Sequence, residues 1–126
     1  MEHQHLGNRL TYFVTEKSGI LIVSFRGNWT REGLPVIEYL ITDLEIRTPK
    51  WVIVDFKEDM ETMESALFPH FTRMQKLIRD KGALLKISGL NHFLKKTLTE
   101  HGLIRPEETA HDLAEALQLL NGQQAA

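Results

Sequence analysis

The chain has 126 residues, enough for one domain whose core needs no covalent or metal staple. It is 42% hydrophobic and 25% charged, an ordinary globular balance, and its formal net charge of −2 argues against a surface devoted to nucleic-acid phosphates. Cysteine is absent, which removes disulfide scaffolds and thiolate zinc sites; no apolar run approaches the ~20 residues of a membrane span, and the first residues lack a signal-peptide core, so a cytoplasmic protein is expected.

In chain order, residues 1–9 read as a flexible tail and 10–120 as the domain. Leu10-Thr11-Tyr12-Phe13-Val14 is aromatic and β-branched, Lys17-Ser18-Gly19 is a turn signal, and Ile20 to Phe25 resumes the apolar run, so the pair reads as a β-hairpin ending at Gly27-Asn28. Leu34, Ile37, Ile41 and Leu44 recur at helical spacing, with Pro35 marking the start. Trp51 to Phe56 is apolar without alternation, the mark of a strand covered on both faces of a mainly parallel sheet. After an acidic loop, Leu67, Phe71, Met74 and Ile78 form a second helical stripe that Lys81-Gly82 closes. Ala83 to Ser88 reads as a strand. Asn91 caps a short helix carrying Leu94 and Leu98, closed by Gly102. Leu103-Ile104-Arg105 is expected as a last short strand. Thr109-Ala110-His111-Asp112 has the look of a capping box before Leu113, Leu117 and Leu120, and residues 121–126 are expected to form a flexible tail. Strand and helix alternate from the second strand onward, which predicts an α/β fold: a mixed sheet with helices packed on it.

The loop Lys57-Glu58-Asp59-Met60-Glu61-Thr62-Met63-Glu64 holds most of the chemistry. Its acids match no calcium-loop spacing and read as a solvated acidic segment. Met60 and Met63 are adaptable apolar groups that suit a docking surface, or that fold back onto the core. His70, His92, His101 and His111 fall in separate elements without i,i+4 spacing, and His3 and His5 lie in the tail, so no histidine metal pair is expected. No phosphate loop, nucleophile elbow or zinc-protease motif occurs; neither a catalytic residue nor a cofactor is expected. Arg73, Lys76, Arg79 and Lys81, with Lys95 and Lys96 beyond, form a basic side that reads as a solvated face or as the counterpart of an acidic partner.

The segments Gly19 to Gly27, Trp51 to Phe56, Arg79 to Leu90 and Phe93 to Leu103, in that order and spacing, resemble the STAS domain, the family of anti-sigma factor antagonists and of the cytoplasmic tails of sulfate transporters. The resemblance implies the STAS fold, a mixed four- to five-stranded sheet with about four helices. It also implies a non-enzymatic module that regulates transcription by binding a protein partner, an anti-sigma kinase being the family's example. The family's Asp-Ser-Ser/Thr-Gly motif at the start of the second helix falls on Met63, Glu64, Ser65 and Ala66. Ser65 therefore takes the phosphoacceptor position, while the motif's aspartate and glycine are replaced. The partner surface that the resemblance implies comprises Asp59, Met60, Glu61, Met63, Glu64, Ser65, Ala66 and Phe68. The rival reading makes Ser65 a helix cap or a plain loop residue, and Pro69 leaves open whether the helix reaches back to it. Two other functions fit the same resemblance: a subunit of a larger assembly, such as a lipid-transport ATPase complex or a stressosome-like scaffold, and a small-molecule module holding a lipid or nucleotide under the loop. A homodimer is compatible with each.

Overall fold

The computed structural model describes residues 9–125; the tail expected over residues 1–9, with its two histidines, lies outside the described residues except for Arg9. Strands β1 (Thr11–Lys17) and β2 (Ile20–Arg26) form the antiparallel hairpin. Helix α1 (Leu34–Glu45) leads to β3 (Trp51–Asp55), α2 (Phe68–Asp80) to β4 (Leu84–Ser88), and α3 (His92–Glu100) to the two-residue β5 (Thr109–Ala110); α4 (Leu113–Ala125) ends the chain. The five strands lie side by side in the order β1-β2-β3-β4-β5, and β2 through β5 run parallel.

The reason for this layering is legible in β3. Val52 and Val54 point into the larger core with α1, α2 and α3, whereas Ile53 joins Ile20, Ile22, Ala116 and Leu120 beneath α4. A strand buried on both faces needs no polar alternation, and the unbroken apolar run of this segment is the result. On the larger face Phe25, Trp29, Phe56 and Phe71 form an aromatic knot, with Phe25 and Trp29 edge-on at 5.2 Å and Trp29 and Phe71 edge-on at 5.7 Å.

The helix punctuation follows the expected signals at three ends. Pro35 sits in the first turn of α1. Gly82, at φ 79°, closes α2 in the left-handed conformation. Asn91 Oδ1 accepts the Leu94 N–H at 2.8 Å and caps α3.

Three expectations are corrected. Leu103-Ile104-Arg105 is not a strand: the Leu103 N–H is taken by the Leu98 carbonyl in the closing turn of α3, and Ile104 turns inward to the core. The place beside β4 goes to Thr109–Ala110, a strand too short to leave a periodic trace. The capping box lies three residues later than the sequence signal, because Thr109 is held in β5; Asp112 Oδ1 accepts the Glu115 N–H at 2.9 Å and Glu115 Oε1 accepts the His111 N–H at 2.9 Å. Finally, α4 runs through 121–125, where the sequence reading placed a tail.

Candidate functional site

Because β2, β3 and β4 are parallel, the segments that follow them, 27–33, 56–67 and 89–91, meet at one edge of the sheet. In open α/β sheets that carboxyl edge is where chains recognise other molecules, since loops there are free of the sheet's own pairing. The middle segment is the acidic loop, and both neighbours clamp it.

On the β4 side, Asp55 ends β3 buried. Its Oδ1 accepts from the Ser88 hydroxyl at 3.0 Å and from the Lys57 N–H at 3.2 Å. Lys57 and Glu58 are both left-handed, at φ 56° and 58°, a conformation that costs non-glycine residues roughly 1–2 kcal/mol each. They are held there by the bond from the Glu58 N–H to the Gly89 carbonyl, 2.7 Å, and by the Asp59 N–H to Phe56 carbonyl bond, 3.0 Å. Only glycine fits at 89: a Cβ there would lie 2.5 Å from the Lys57 nitrogen and 2.7 Å from Asp55 Oδ1. Asn91 completes this clamp by donating from Nδ2 to the Met60 carbonyl at 3.0 Å.

On the β2 side the pairing is denser. Asn28 Oδ1 accepts the Glu61 N–H at 2.7 Å and the Thr62 N–H at 3.0 Å. The Trp29 N–H donates to the Thr62 carbonyl and the Glu64 N–H to the Trp29 carbonyl, a parallel bridge of one residue opposite Met63. Asp59 Oδ2 accepts the Gly27 N–H at 2.8 Å, and Glu64 Oε1 accepts the Arg31 N–H at 2.7 Å. The loop is thus held by backbone and side-chain hydrogen bonds to both neighbouring segments.

The eight expected docking residues divide under this arrangement. Met60 and Met63 are buried, at 1% and 7% exposure, in the larger core cluster that also holds the aromatic knot and Leu67. The expectation that they offer adaptable apolar surface is corrected: the chain spends them as the loop's hydrophobic underside, because two apolar side chains on an otherwise acidic loop gain more from the core than from water. Asp59 and Glu64 bond into the clamp, Asp59 staying exposed and Glu64 half-buried; Phe68 is half-buried against the His101 ring at 5.5 Å, and Glu61, Ser65 and Ala66 are exposed. Ser65 opens a single 3-10 turn, Ser65–Leu67, that leads into α2. Neither the turn nor the helix takes a side-chain cap, the cap positions being Glu64 and Leu67. The cap reading of Ser65 therefore falls, and its hydroxyl stands on the surface at the mouth of the helix. Sequence reasoning passed over Asn28, Trp29 and Arg31, since it ended the hairpin at Gly27-Asn28; the signal was a lone tryptophan directly after a strand, too large to be left in solvent.

The chain matches no protein-family model. No curated protein matches it either. Its fold is that of solved STAS structures. It is similar to an anti-sigma factor antagonist from Mycobacterium paratuberculosis, with a TM-score of 0.76 at 16% identity over 90% of this chain and 96% of that one. It is similar to the STAS domain of a SulP transporter from Vibrio cholerae, with a TM-score of 0.74 at 15% identity over 89% of each chain. A component of the stressosome, described as a signal integration and transduction hub, superposes with a TM-score of 0.72 at 20% identity over 90% of this chain and 100% of its own. At such identities the agreement is one of fold: the mixed sheet and its helices are the STAS arrangement. Among the described residues no helix is long and apolar enough to cross a membrane.

Proposed function

We propose that the protein is a non-enzymatic regulatory module of the anti-sigma factor antagonist type. It binds one protein partner, an anti-sigma kinase or a related cytoplasmic signalling protein, through exposed Glu61, the exposed start of the turn at Ser65 and Ala66, and the flank of α2 at Phe68. The observation that carries the reading is the clamped loop itself. Two consecutive left-handed residues and hydrogen bonds from both sides hold the loop that presents an exposed serine at the carboxyl edge of the sheet. Preorganisation of this kind lowers the entropy cost of association, and strain of this kind persists where a site needs its geometry. Ser65 is the candidate phosphoacceptor: a phosphate there would add about −1.5 to −2 charges beside Glu61 and Glu64 and drive off a partner docked on the turn. With Met63 and Ala66 in place of the motif's aspartate and glycine, the module acts as a constitutive binder. The same surface would serve in a larger assembly. A lipid or nucleotide under the loop loses its support, because Trp29, Met60, Met63 and Phe71 fill that space.

Affinity capture from the native cell tests the proposal. The wild type should retain a specific partner that Ser65→Trp loses and that Tyr39→Ala, on the exposed side of α1, still retains. Retention by both variants would contradict docking at the turn.

A further inference from the structure

β1 is an edge strand of 7 residues, and among the described residues its outer side pairs with nothing. The hairpin fixes which backbone groups are left over. Ser18 and Gly19, at φ 54° and 81°, form a two-residue turn with both central residues left-handed, and Lys17 faces Ile20 across it. The pair that flanks such a turn exchanges both backbone hydrogen bonds, and bonded and non-bonded pairs then alternate along the ladder. Lys17, Thr15, Phe13 and Thr11 therefore turn their N–H and C=O groups to β2, whereas Glu16, Val14 and Tyr12 turn theirs away from the sheet. Nothing blunts this outer row. The strand has no proline, its register with β2 runs without a bulge, and its charges are confined to Glu16 and Lys17 at its end.

Apolar surface gathers beside the same edge, on both faces of the sheet. On one face Phe13 is 47% exposed, with the Lys57 ammonium over its ring at 4.9 Å. On the other, burial and then Asp43 and Tyr39 push the Tyr12 hydroxyl pKa up while Arg47 lowers it, which places that flank of α1 beside β1. Tyr39 is itself 72% exposed. An added peptide strand would satisfy the backbone row and leave Tyr39 in water. A partner with a helix seated over its own edge strand covers both, and a second copy of this chain carries that helix in that place.

We infer that two copies of this chain pair antiparallel through β1, joining their two five-stranded sheets into one. The two-fold axis passes Val14, the middle of the outward row, so that Tyr12, Val14 and Glu16 of one copy meet Glu16, Val14 and Tyr12 of the other in hydrogen-bonded pairs. In the same register Phe13 lies opposite Thr15, an aromatic–β-branched pair of the kind that stabilises antiparallel strands. Like charges never face each other, since Glu16 meets Tyr12 and Lys17 meets Thr11. The pairing brings the two exposed Tyr39 flanks toward each other above the seam. It is independent of the proposed function.

Analytical ultracentrifugation of the purified chain tests it. The wild type should show a dimer fraction that grows with concentration. Val14→Pro removes the central outward N–H and leaves the bonds to β2 in place, so it should weaken the dimer at least about tenfold while far-ultraviolet circular dichroism stays unchanged. A second measurement reads the register and does not depend on that variant folding. The chain has no cysteine, so an introduced thiol reports only the seam. Phe13 and Thr15 of opposite copies form a non-hydrogen-bonded pair with Cα atoms about 4.5 Å apart, within disulfide reach. Both positions are exposed. A mixture of Phe13→Cys and Thr15→Cys, treated with oxidised glutathione, should therefore give the mixed disulfide dimer well in excess of the dimer from either variant by itself, as mass spectrometry distinguishes. A monomer at every concentration, leaving the edge to a different extended chain, overturns the inference. So does a dimer that a folded Val14→Pro leaves intact, or a cysteine mixture that cross-links no better than its components.

Discussion

Met60 and Met63 decide what a substitution in the acidic loop can report. Because both are buried, Met60→Ala should cost about 2–5 kcal/mol of stability, the usual range for a core methionine, and urea denaturation measures it. Loss of binding in such a variant would reflect an unfastened loop, not a missing contact. Ser65 behaves oppositely. It is exposed and caps nothing, so Ser65→Ala and Ser65→Asp should both lie within about 0.5 kcal/mol of the wild type in thermal unfolding. Asn28 is the polar counterpart. Asn28→Ala releases the amides of Glu61 and Thr62 and should lower stability by about 1 kcal/mol, with faster hydrogen exchange at those two amides as the direct readout.

Among the elements, those with long apolar periods could be read from the sequence, and those held by single hydrogen bonds could not. The stripes Leu34-Ile37-Ile41-Leu44 and Leu67-Phe71-Met74-Ile78 announce α1 and α2 because each must cover the same sheet face. β5 has two residues and no period, and its neighbour Ile104 imitates a strand residue by being apolar and buried for another reason. The acidic loop was legible in position and composition. Its orientation was not, because the bonds that turn Met60 and Met63 inward come from Asn28 and Trp29, some thirty residues away in sequence. The box before α4 separates the two candidate caps. Asp112→Ala should destabilise the protein by about 0.5–2 kcal/mol, whereas Thr109→Ala, outside the box, should leave the α4 cap intact; chemical denaturation of the two variants compares them.

At the scale of the whole molecule, β3 holds both cores together. Ile53→Asp would place a carboxylate without a partner among Ile20, Ile22 and Leu120, and the chain should fail to fold, as far-ultraviolet circular dichroism would show. The same strand delivers the loop to the sheet's carboxyl edge, the proposed place of recognition. The most direct test of that claim is a calorimetric titration of the captured partner against wild type, Ser65→Ala and Ser65→Asp, at matched folding. Near wild-type affinity is expected for Ser65→Ala and at least about a tenfold loss for Ser65→Asp, since only the carboxylate brings a charge beside Glu64 into the contact. Equal affinity for all three would contradict it.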